Sequence, residues 1–123
     1  MDYSALSDFD INKRVALLCT IEGVVINSDG DPVRNIIDES PGSYSGGDYF
    51  EVDYDPCNNP ADAWPIIVGS GISLYHNYGE WEAEMEYDAP VGAFGTDETC
   101  CKRAYHKNPL RAAMVVFLMM QDK

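Results

Sequence analysis

Residues 79–88 read GEWEAEMEYD, with Glu80, Glu82, Glu84 and Glu86 at every second position and Trp81, Ala83, Met85 and Tyr87 between them. Successive side chains of a β-strand point to opposite faces, so this stretch makes one face wholly acidic and the other wholly apolar. The apolar face can line a core. The acidic face is tolerated only where water solvates it or a basic partner neutralises it.

Around this strand the pattern alternates between helical and extended segments. Ser7 followed by Asp10 is a variant capping box, and Ile11, Val15 and Leu18 recur at helical spacing, which predicts a helix over residues 8–19. Residues 21–26 and 33–37 flank the turn sequence SDGD and predict a hairpin. Residues 49–54 read as a strand with Phe50, Val52 and Tyr54 on one side and Glu51, Asp53 and Asp55 on the other. Asn59-Pro60 and Asn108-Pro109 each offer a capping side chain followed by proline at the first helical position. They predict helices over residues 60–68, ending at Gly69 as a left-handed cap, and over residues 109–121. Pro65 lies in the second turn of the former, so a short or kinked helix is expected. Residues 72–78 and 81–87 predict an antiparallel pair, and residues 99–106 one further strand.

The helix over residues 109–121 is apolar nearly all round, which implies burial on more than one side. It either sits between a sheet and another helix or completes a homodimer. The expected architecture is one α+β domain over residues 1–123, with a mainly antiparallel sheet of four to six strands and three helices. A helix on both faces of the sheet conflicts with the acidic face of residues 80–86, unless that strand lies at a sheet edge.

The chain carries 21 acidic against 8 basic residues, a formal charge of −13. That balance argues against nucleic acid as a partner, which needs clustered Lys and Arg, and equally against anionic membranes. The longest apolar run, residues 112–120, is less than half of the about 20 residues a membrane span requires. The N-terminus lacks a basic start followed by an apolar run, so an intracellular, cytoplasmic protein is expected, with Cys19, Cys57, Cys100 and Cys101 reduced.

Catalytic equipment is sparse. GSYSG at 42–46 nearly spells a nucleophile elbow, but Tyr44 holds the serine position. His76 and His106 are the only histidines, and each reads as an ordinary strand or loop residue. A zinc site from Cys100, Cys101 and His106 lacks ligand spacing and a clear fourth ligand. SDGD is a fragment of a calcium loop without the remaining ligands. No enzyme, metal or cofactor is expected.

MDYSALSDFDINKRVA, CNNPADAWPII followed by GIS, and NPLRAAMVVFLMM resemble the three signature blocks of the NinX-like family. These are small accessory proteins of lambdoid phages and their prophages, without an established biochemical activity. The resemblance implies a phage-encoded protein of the host-cell cytoplasm, and more loosely an αβα-sandwich-like layout. Both acidic strands fall outside the matching blocks.

Charges about 6.6 Å apart along a strand correspond to one per two nucleotides of a DNA strand. If Glu51, Asp53 and Asp55 shared a side with Glu80, Glu82, Glu84 and Glu86, the surface would form a negative lattice suited to a Lys/Arg groove. Tyr54, Tyr78 and Tyr87, with Tyr49, are large, stiff contact residues nearby. The expected function is binding to a basic, nucleic-acid-handling host protein, in defence or recombination, so as to inhibit or redirect it. The alternatives are a protein that sequesters a small nucleotide signal at the helix N-termini after Asn59 and Asn108, and a solubilised structural domain.

Overall fold

In a computed structural model the described residues are 3–38, 48–91 and 96–121, with the side chains of 4, 37, 38, 48, 49, 87–91 and 96–100 excepted. GSYSG at 42–46 and the side chains of Tyr49, Tyr87 and Cys100 therefore lie outside the described residues. The order is a 3-10 turn at Tyr3–Ala5, α1 (Asp8–Leu18), β1 (Val24–Ile26), β2 (Pro32–Asp38), β3 (Asp48–Asp53), α2 (Pro60–Ser70), β4 (Ser73–Asn77), β5 (Glu80–Val91), β6 (Thr96–His106) and α3 (Pro109–Gln121). The fold is α+β. Among the described residues six strands form two three-stranded antiparallel sheets, β1-β2-β3 and β4-β5-β6, where a single sheet was expected.

The caps decide where the helices begin. Ser7 is extended, and its hydroxyl accepts from the Asp10 backbone N–H at 3.1 Å. Asn59 Oδ1 accepts from the Ala61 N–H and Asn108 Oδ1 from the Leu110 N–H, each at 3.0 Å. The α2 helix continues through Pro65 to Ser70, and Gly71, at φ 67°, is its left-handed cap. Gly69 was the expected cap, but it keeps helical backbone because the chain turns two residues later, where the Gly71 N–H reaches the carbonyls of Ile67 and Val68.

The hairpin of β1 and β2 closes through Asn27, whose side chain accepts from the N–H groups of Asp29 and Asp31 at 3.0 Å. The β4–β5 turn uses Tyr78 and Gly79, both at positive φ (51° and 84°), as a two-residue hairpin requires.

The core centres on α3. Ala112, Ala113, Met114 and Val116 are fully buried. One side of the helix packs on β5 and β6, and α1 and α2 cover the rest. This is the intrachain alternative of the two expected for an all-round apolar helix, and Val115 and Met119 also pack against the core. From α1 the buried stripe is Ile11, Asn12, Val15 and Ala16. Leu18, expected on that stripe, stands 47% exposed because the stripe turns towards Ala16.

Candidate functional site

Cross-strand register places the acidic row at the centre of an open sheet face. Since β5 is the middle strand, Glu82 lies between Tyr75 of β4 and Tyr105 of β6, and Glu84 lies between Ser73 and Arg103. Glu80 opposes Asn77, and Glu86 opposes Cys101. Directly paired residues share a face. On the opposite face Ala83, Met85 and Ala104 are buried, and Trp81 is half-buried with its ring 5.0 Å from that of His76. The acidic strand is thus central rather than at an edge, and its outer face is left to solvent instead of a second helical layer.

This face is not a bare row of carboxylates. The Arg103 Nε lies 3.2 Å from Glu84 Oε2 and 3.3 Å from Glu82 Oε1, and the Tyr105 hydroxyl donates to Glu82 Oε1 at 3.0 Å. Hydrogen bonds from the Cys101 thiol and the Arg103 guanidinium hold the Glu84 carboxyl below the usual carboxylate range. The bond to Glu84 pushes the Cys101 thiol up from its ordinary value, and the bond to Glu82 does the same for the Tyr105 phenol. Tyr75 is 49% and Tyr105 59% exposed, while Tyr78 stands wholly in solvent at the adjoining turn. Tyr75, Arg103 and Tyr105 were not among the expected contact residues. The signal for them was the hairpin register, which sets them beside Glu82 and Glu84.

The other expected acids lie elsewhere. Glu51 and Asp53 belong to β3, in the second sheet, so the two acidic strands do not form one continuous lattice. Glu51 accepts from the Asn27 side chain at 3.1 Å, and Asp53 is exposed. Tyr54 is 2% exposed and is a core residue. Burial first, then neighbouring Cys19 and Asp62, push its phenol far above the usual range.

Asp55 joins a polar junction where the N-termini of all three helices meet. It accepts from Asn12 Nδ2 at 2.7 Å and from Asn58 Nδ2 at 3.2 Å. Asn58 also donates to Asp8 at 3.2 Å, and Asn12 Oδ1 accepts from the Cys57 N–H at 3.1 Å. From α3, Asn108 donates to the Cys57 carbonyl at 2.6 Å, and Arg111 pairs with Asp8 at 2.5 Å. Burial pushes the Asp8 carboxyl up, but the hydrogen bonds from Arg111 and Asn58, with the nearby positive charge of Arg111, outweigh it and its pKa falls. Burial pushes the Cys57 thiol up to about 12, so it is an inert core group.

Beside the junction lies a cleft of about 350 Å³, lined by Asp8, Asp31, Asp53 and Asp55 together with Phe9 and Pro32. Its charge opposes an anionic ligand. Both histidines have local roles: His76 against Trp81, and His106 accepting at Nδ1 from the Asn108 N–H at 2.9 Å. Cys101 and His106 fall on opposite faces of β6, which separates the zinc ligands considered from sequence. Among the described residues, Glu84, Glu86 and Cys101 have ligand atoms within 4.8 Å of one another, an exposed set whose Glu84 is already engaged by Arg103. No described helix is long and apolar enough to cross a membrane.

A family model described as bacteriophage P22 NinX matches residues 2–121. The chain belongs to that phage family. None of the curated proteins matches it.

Proposed function

We propose that this phage accessory protein acts by binding in the host cytoplasm. The open face of β4-β5-β6 would engage a basic, nucleic-acid-handling host protein and inhibit or redirect it. One observation carries the reading. Four glutamates run down the central strand of a sheet face that no described helix covers, flanked by the exposed rings of Tyr75 and Tyr105. Electrostatic complementarity would select a basic partner and speed encounter, while the tyrosines would supply desolvated anchors. Arg103, the one cation among the described residues of that face, fixes Glu82 and Glu84 in place and still leaves the face net acidic.

No catalytic step is assigned to the chain. The nucleotide-sequestering alternative loses ground because an anion approaching the helix N-termini would meet Asp8 and Asp55.

The test is an affinity capture from host lysate at low and high salt, comparing the wild type with a variant carrying Gln at positions 80, 82, 84 and 86. The wild type is expected to retain a basic partner at low salt and release it as salt rises, since exposed charges are screened over about 10 Å at 0.1 M. The variant is expected to lose that partner at every salt concentration. A folded variant that keeps the wild-type partner overturns the reading.

A further inference from the structure

Helix α2 inverts the usual arrangement of a surface helix. Its single charged residue, Asp62, has a side chain with no exposure and pairs with Arg34 Nη1 at 3.4 Å. Its solvent side carries Ala61, Trp64, Pro65, Val68 and Gly69, none of them charged. Trp64 is 62% and Val68 60% exposed, one helical turn apart. Pro65 and Gly69, the neighbouring ridge, border a groove of about 280 Å³ that also touches Leu18 and Phe117. Among the described residues no charged one lines this groove, in a chain whose formal charge is −13. A projecting aromatic side chain and an uncharged groove thus adjoin on one patch.

From this geometry we infer that the α2 face is a two-fold interface between two copies of this chain, with Trp64 of each copy seated in the groove of the other. An isologous contact requires one patch to carry both the knob and its hole, and this patch does. The groove is large enough: a cavity of about 150 Å³ already accepts a benzene ring. Charge makes the same choice. Two copies of so acidic a chain repel through most of their surfaces, and the α2 face lets them meet without opposing carboxylates among its described, exposed residues. A basic partner would find no exposed carboxylate among the described residues of that face to recognise. Because α3 lies between α2 and the β4-β5-β6 sheet, the pairing leaves the acidic face of that sheet free. The inference stands independently of the partner proposed for that face.

Sedimentation equilibrium tests it, from about 1 to about 100 μM, the range in which a modest interface of this kind dissociates. The wild type is expected to reach twice the chain mass of 13.7 kDa as concentration rises. Trp64→Ser is expected to stay at 13.7 kDa throughout. So is Gly69→Lys, whose added Cβ meets no atom within 4 Å and whose side chain is a better helix former than glycine. Lysine also lowers the net negative charge, so a loss of pairing there comes from the bulk and charge placed at the α2 face and not from greater repulsion between the acidic chains. The Gln variant at positions 80, 82, 84 and 86 is expected to dimerise like the wild type. A wild type that stays at the single-chain mass overturns the inference, as does a Gly69→Lys chain that still dimerises. Unchanged circular dichroism in either monomeric variant separates lost pairing from lost folding.

Discussion

Arg111 sits in the first turn of α3, where the helix dipole disfavours a positive charge. It is 7% exposed and donates to the carbonyls of Leu6 and Tyr3 at 2.6 and 3.3 Å besides pairing with Asp8. Asp8, in the first turn of α1, answers both the guanidinium and its own helix N-terminus. Arg111→Ala would remove the Arg111 bond to the Leu6 carbonyl, leave the Tyr3 carbonyl with its bond from the Leu6 N–H, and leave Asp8, 42% exposed, to be rehydrated by water. The expected loss is about 2 kcal/mol in urea unfolding, discounted for that exposure. Asp8→Asn should cost less. Since the folded pKa of Asp8 lies below the ordinary 3.8, its ionised form contributes stability that is fully present above that value. That contribution is lost as pH falls through the folded pKa. The stability gap between wild type and Asp8→Asn should therefore be constant at neutral pH and shrink below about pH 4; a gap that widens on acidification would contradict the assignment.

Element-scale logic is clearest in α2 and β5. Two glycines close to the end of α2 do different work. Gly71 holds a left-handed cap that a side chain would strain, whereas Gly69 is helical and open to solvent. Gly71→Ala is expected to lower stability by about 1 kcal/mol, and Gly69→Ala to raise it by about 0.5 kcal/mol. Thermal unfolding at low concentration reads both, and equal effects at the two positions would misplace the cap. In β5 the alternation of residues 80–86 divides the sheet into a core face and an open face. Tyr78, at φ 51°, shows how tightly that hairpin turns.

Across the whole molecule, the segments richest in family-like wording converge. Asp8 and Asn12 from the first, Cys57 and Asn58 from the second, and Asn108 and Arg111 from the third meet in one hydrogen-bonded junction. The junction ties the starts of the three helices together on the side chains and backbone of these segments. A second long-range tie joins the two halves: Arg34 of β2 reaches Asp62 of α2, which also accepts from the Asp55 N–H at 2.9 Å. Arg34→Met would leave a buried carboxylate without its cation. The expected cost is about 3 kcal/mol, read as a lower urea midpoint with one cooperative transition. A change below about 0.5 kcal/mol, the usual range for surface substitutions, would mean that the pair is a surface contact only.

Local chemistry wrote much of the fold into the sequence. Ser7, Asn59 and Asn108 set the helix starts because a cap is made by a side chain two or three residues from the group it satisfies. The alternation of residues 80–86 fixed which strand face is acidic, because the side-chain period of a strand is two in any fold. The apolar circumference of residues 109–121 fixed a buried helix. What the sequence left open depends on contacts distant along the chain. Strand pairing decided that the six strands form two sheets, so Glu51 and Asp53 stand apart from the row on β5. Register brought Arg103 and Tyr105 beside Glu82 and Glu84, and packing sank Tyr54 into the core while leaving Trp64 outside it. Periodicity reports which face a residue occupies, whereas only the folded chain decides what that face meets.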